Sequence, residues 1–136
     1  ILKKLLFQAT VVAMSDKLKL SKRTIKGFDI IDITGDISPD ASKDIVKFVK
    51  KAVSGKDKDL YINLEGVKHM NSAALSVIVQ MVRDLSTKKV NTFFMNVNEK
   101  IMTLVKVAGL HNFFKFVSDE AALLDKIEKM DKEANA

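Results

Sequence analysis

Ser72 is the residue of this chain whose type and position could do the most chemistry, because it follows Asn71 at the head of a long apolar helical pattern. An asparagine in that place caps a helix by accepting hydrogen bonds from first-turn N–H groups. The serine after it sits where free amide donors and the positive helix end favour an anion. A phosphate there would add about −1.5 to −2 charge without having to break the helix. At helical spacing Ala74, Ile78, Met81 and Leu85 share one face that should pack on a sheet. Ser72, Ser76, Val79, Gln80, Arg83 and Thr87 share the opposite arc, which is polar except for an exposed Val79. Such an arc is either a docking surface or the wetted side of an amphipathic helix, with Ser72 helping to cap it. On spacing alone the second reading is the plainer one.

Other reactive groups are sparse. The sequence has no P-loop, no Gly-x-Gly-x-x-Gly, no His-Glu-x-x-His and no Gly-x-Ser-x-Gly. His69 and His111 are far apart, and a loop histidine more often faces solvent than catalyses. Asp59 and Glu65 flank an apolar run, where surface roles are the default. No catalytic activity is therefore expected, and neither a cofactor nor a metal site. With no cysteine there is no disulfide framework and no thiolate chemistry, which suits a reducing compartment. The formal net charge of +6 raises nucleic acid or anionic lipid as a partner. The lysines are scattered among carboxylates, however, and no basic run carries interleaved aromatics, so no direct nucleic-acid binding is expected.

The elements that must position Ser72 follow from glycine, proline and apolar spacing. Residues 18–37 read as two extended, isoleucine-rich runs joined at Gly27 and closed by Gly35-Asp36, which suggests an antiparallel hairpin. Ser38-Pro39-Asp40 starts a helix over 39–54, with Ile45, Phe48, Val49, Ala52 and Val53 at helical spacing and Gly55 as its stop. Residues 60–64 and 92–95 are short apolar runs suited to adjacent buried strands. Between them a helix runs from Ser72 to about Thr87. A third helix carries Ile101, Leu104, Val105 and Ala108, and Gly109-Leu110 forms its cap. Residues 114–117 suit a short edge strand, and Ser118-Asp119-Glu120 starts a last helix with Leu123, Leu124, Ile127 and Met130 on its apolar side. The order β-β-α-β-α-β-α-β-α implies one α/β domain, a mixed sheet covered by about four helices.

Residues 1–13 stand apart as an appended segment. Lys3-Lys4 and the apolar residues after them faintly resemble a signal peptide, but the run is far shorter than the roughly 20 residues that span a membrane. No membrane span is expected. An accessory amphipathic helix, a remnant of a longer chain, and residues upstream of a natural start at Met14 are the three readings. Packing on the domain or on a neighbouring molecule is preferred, with residues 14–136 as the single domain.

The stretch LYINLEGVKHMNSAAL, together with TFFMNV, VAGLHNFFKF and SDEAAL, resembles the STAS domains of anti-sigma factor antagonists, and the resemblance covers roughly residues 18–130. The family's Asp-Ser-small-Gly-Leu motif corresponds to Asn71-Ser72-Ala73-Ala74-Leu75, so its acidic residue is an asparagine here and its glycine an alanine. The resemblance implies a cytoplasmic, non-enzymatic regulator. Its serine, Ser72, would be phosphorylated by a partner that is both anti-sigma factor and serine kinase of the GHKL type. Unmodified protein would bind that partner through Asn71, Ser72, Ser76, Val79, Gln80 and Arg83, and free the sigma factor. A homodimer is also compatible with the resemblance. The alternative is a STAS subunit of another regulatory, sensory or transport assembly, without a working phosphosite.

Overall fold

Lys26 and Gly27 both take positive φ, 49° and 84°, the two-residue turn whose twist matches that of a hairpin. It joins β2 (Leu18–Ile25) to β3 (Phe28–Gly35), paired antiparallel from Ile25 with Phe28 to Leu18 with Gly35. The structure is a computed structural model, and it describes residues 7–14, 18–53 and 59–134. A further strand precedes the expected hairpin: β1 (Phe7–Met14) runs antiparallel along β2, with an irregularity between Val11 and Ala13. Part of the segment expected to be appended is thus an edge strand of the sheet.

From β3 onward the chain alternates as its apolar spacing requires. The helix α1 (Pro39–Ala52) is capped by Ser38, whose hydroxyl oxygen accepts from Ala41 N, and it leads to β4 (Leu60–Gly66). Gly55, its expected stop, lies outside the described residues. The helix α2 (Ser72–Thr87) precedes β5 (Thr92–Met95), and α3 (Glu99–Val107) precedes β6 (Lys115–Val117). The last helix, α4 (Glu120–Ala134), starts where the Asp119 carboxylate accepts from Ala122 N. After α3, Gly109 at φ 74° donates to Lys106 O and Leu110 N donates to Val105 O, the paired bonds of the expected glycine cap.

β3, β4, β5 and β6 pair parallel, and the sheet order equals the chain order. Right-handed crossovers that advance in one direction put all the crossover helices on one face. One core accordingly joins Ile45, Ile78 and Ile101 of α1, α2 and α3 to Ile31, Ile62 and Phe94 of the sheet. Alternate strand residues Ile30, Tyr61 and Met95 face the other way and pack under Leu123 and Ile127 of α4. With both faces covered, the central strands can be apolar without interruption. Met130, expected on the apolar side of α4, is exposed instead, because it lies beyond the last residue of that helix in the core.

Candidate functional site

β4 ends at Gly66, where a Cβ would stand 2.6 Å from Thr34 Oγ1 and 3.0 Å from Thr34 Cα, so only glycine fits against β3 there. The loop that follows, 67–71, is held from both sides. Ile37 N donates to His69 O at 2.9 Å, and Ile37 bridges to Met70 in parallel fashion. On the other side the Asn98 amide donates to Val67 O at 3.0 Å and Lys68 O at 3.1 Å, while its own oxygen accepts from Ile101 N and caps α3. Val67 is buried and Met70 packs half-buried on the main core. A loop pinned by backbone bonds and two apolar anchors gives the head of α2 a fixed position.

Asn71 takes the extended conformation of an N-cap, φ −95° and ψ 170°, and its side-chain oxygen accepts from Ala74 N at 2.8 Å. Ala74 is fully buried at negative φ, so a methyl group is accommodated where the related motif has glycine. Ser72 points to solvent at the first helical position, and its hydroxyl has no hydrogen bond to any described residue. No acidic residue stands in the first turn of α2, and the exposed Lys68 and His69 lie just before it. The local field therefore favours negative charge at Ser72.

Farther along α2 the other predicted partner residues form a ladder of mixed character. Ser76 is exposed, and its hydroxyl donates to Ser72 O at 3.1 Å. The Gln80 amide donates to Asp84 at 3.0 Å, and Lys50 of α1 donates to the same carboxylate at 3.2 Å. These two bonds, that from Gln80 first, hold the Asp84 carboxyl below the usual carboxylate range. Exposed Arg83 lays its guanidinium over the Phe113 ring, 5.6 Å from the centroid. Val79 differs from the expectation: it is half-buried against the main core. The buried face is wider than the arc read from spacing, because Leu75 is buried as well, and Val79 and Val82 extend that row at helical intervals.

Sequence reasoning missed the polar cluster on the opposite face of the sheet. Arg23 donates to both oxygens of Asp32 at 2.6 and 3.0 Å and contacts Glu120 at 2.7 Å. The Asn63 amide donates to Asp32 at 2.8 Å and its oxygen accepts from Asn96 at 2.8 Å. Burial by itself would lower the Arg23 pKa, but the bonds to Asp32 and Glu120 outweigh it and hold it above its ordinary value. Asparagines inside one apolar strand (Asn63) and just after the next (Asn96) were the available signal. His69 and His111 are exposed in different loops, and Asp59 accepts from the Asn91 amide. Among the described residues no group of three or more His, Cys, Asp or Glu could hold a metal ion, and no helix is long and apolar enough to cross a membrane.

The sequence model of the STAS domain matches residues 19–123, most of the chain and the whole frame that presents Ser72. The chain belongs to the STAS domain family. Compared sequence against sequence, no curated protein matches it significantly. Solved structures share the fold of this STAS domain. An anti-sigma factor antagonist from Mycobacterium paratuberculosis superposes with a TM-score of 0.62 at 14% identity, covering 88% of this chain and 92% of that one. The Bacillus anti-sigma factor antagonist SpoIIAA in its unphosphorylated form gives 0.60 at 14%, covering 90% and 97%. The murine anion transporter Slc26a9 gives 0.66 at 11%, covering 87% of this chain and 21% of the transporter. At such identities the likeness establishes the fold of this STAS domain.

Proposed function

We propose that this STAS domain is an anti-sigma factor antagonist, a non-enzymatic cytoplasmic switch that docks on an anti-sigma factor through the outer face of α2 and is turned off by phosphorylation of Ser72. The observation that carries this reading is the exposed Ser72 hydroxyl, unbonded among the described residues, on the first turn of a helix whose approach loop is pinned by Ile37 and Asn98. A kinase reaches such a hydroxyl without unfolding anything. The phosphate formed meets first-turn N–H groups and no carboxylate, so the fold tolerates it. Docking does not tolerate it, because a dianion must then be desolvated against the partner. Asn71, Ser72, Ser76, Gln80 and Arg83 present the contact surface, and Val79 supports it from beneath. Residues 14–136 are the unit that acts, with β1 as an addition at the sheet edge. The resemblance to the antagonists supports a serine kinase of the GHKL type as the partner, and SpoIIAA has been solved in a phosphorylated form too.

The test is incubation of the protein with its cognate GHKL serine kinase and ATP, followed by phosphosite mapping by mass spectrometry. Phosphate at Ser72, absent from Ser72→Ala, is the expected result; phosphate only at Ser76 or elsewhere overturns the assignment. The likeness to a transporter domain supports a second reading, a STAS subunit of a larger assembly. An unmodified protein under those conditions favours that reading, since Asn71 lacks the carboxylate that the antagonists carry beside the serine.

A further inference from the structure

At the end of α2 remote from Ser72, a surface cleft of about 330 Å³ opens between that helix and the starts of β5 and β6. It belongs to the opposite edge of the sheet: at about 1.5 Å of rise per residue, Arg83 stands roughly 16 Å along the helix from Ser72. Val82, Val90 and Phe113 make an apolar lining, and Arg83 and Lys115 bring two cations to it. The Arg83 guanidinium rests over the Phe113 ring, which holds its planar fork at the cleft instead of leaving it free in solvent. Among the described residues it has no carboxylate partner. The Lys115 ammonium donates to Asn91 at 3.0 Å, and Asn91 in turn donates to Asp59 at 3.2 Å, so one amide stands between that lysine and the nearest carboxylate of the chain of bonds. Asp84, next to Arg83 in sequence, is turned to Gln80 and to Lys50 of α1. Thr92, also part of the lining, has a buried hydroxyl with no partner among the described residues.

We propose that this cleft binds a small organic oxyanion, a carboxylate or phosphate group on an apolar body. A volume of about 330 Å³ falls in the range of small-molecule pockets, which are mostly apolar with a few placed polar groups. Arginine's fork matches the two oxygens of a carboxylate or phosphate, and the lysine adds a second charge. The apolar lining supplies what inorganic phosphate cannot use. The site shares Arg83 with the proposed docking face, but it needs neither Ser72 nor its phosphorylation and would stand if that reading fell.

Phenyl phosphate and benzoate are suitable probes, titrated into the full chain at physiological salt and followed by amide chemical shifts, with inorganic phosphate as comparison. Saturable shifts confined to the neighbourhood of Arg83, Thr92, Phe113 and Lys115 are expected from at least one organic probe, and weaker ones from inorganic phosphate. Whether phenyl phosphate or benzoate binds tighter assigns the head group. Arg83→Gln and Lys115→Gln, both at exposed positions, should each weaken binding by about tenfold, the scale of one charge-assisted contact. The exposed Lys100→Gln should leave it unchanged. Non-saturating shifts with both organic probes, or binding indifferent to Arg83→Gln and Lys115→Gln, overturn the proposal.

Discussion

The polar cluster beneath α4 and the outer turn of α2 lie on opposite faces of one sheet, and their hydrogen bonds go to different places. Arg23, Asp32, Asn63, Asn96 and Glu120 satisfy one another across three strands, a loop and a helix. Ser72, by contrast, has a hydroxyl with no hydrogen bond among the described residues, at the head of a helix whose cap and approach loop are tied down. A group whose bonding capacity is used inside the fold can be changed only at a cost in stability. A group left unbonded on a rigid support can be modified or covered with little cost. The closed cluster holds α4 to the sheet, and the open turn is what a partner or a kinase can use.

The largest effect that distinguishes the two regions is expected at Asp32. Asp32→Ala removes the two-oxygen contact of half-buried Arg23 and strips Asn63 of an acceptor, so stability should fall by about 2–3 kcal/mol in chemical denaturation. Phosphorylation at Ser72 should persist below the unfolding transition; its loss together with the cluster would mean that the two regions are not separable.

Tyr61, on the same closed face, stacks on Phe93 at 5.0 Å and is fully buried, yet its hydroxyl has no partner among the described residues. Tyr61→Phe should therefore stabilise the protein, by about 1 kcal/mol, the scale of relieving an unmade buried bond. Burial, with the charge of Asp59 adding to it, pushes the Tyr61 phenol up to about 12. The folded pKa is raised, so this contribution to stability is complete below about pH 10, where the unfolded phenol ionises, and is lost as pH rises through about 12. Ultraviolet difference absorbance reads this directly, because Tyr61 is the sole tyrosine and tryptophan is absent. A phenol titrating near 10 in the folded protein would contradict the closed environment.

The last of these effects lies at the open turn and is no larger. Asn71→Ala removes the bond to Ala74 N and should cost about 1 kcal/mol, whereas Asn71→Asp keeps the cap and adds charge at the favourable helix end. If the missing carboxylate limits phosphotransfer, Asn71→Asp should also be phosphorylated faster by the same kinase, a comparison of initial rates.

What could be read in the sequence was what short spacing encodes. Gly27, Pro39, Gly109 and the apolar runs placed the hairpin, the helices and the buried strands, because turn geometry and burial act over a few residues. Phe7–Met14 was not recognised as a strand, since a short uncharged run suits either a helix or a strand and its pairing with β2 is a long-range choice. The bonds from Arg23 to Asp32 and from Asn98 to the 67–68 carbonyls depend on register between elements and leave no local mark. Val79 was placed one step too far outward because the buried arc of α2 was drawn from four residues and is broader. Ser72 itself was legible through its cap and its motif, but the rigidity of the loop before it was not.

The switch is tested most directly by calorimetric affinities of the unmodified protein, Ser72→Ala and Ser72→Asp for the cognate anti-sigma factor, with melting temperatures measured on the same samples. All three should melt alike. Ser72→Ala should bind about as tightly as the unmodified protein, and Ser72→Asp at least about tenfold more weakly, as expected for a charge placed in a docked surface. Equal affinity of Ser72→Asp, with an unchanged melting temperature, would remove Ser72 as the switch.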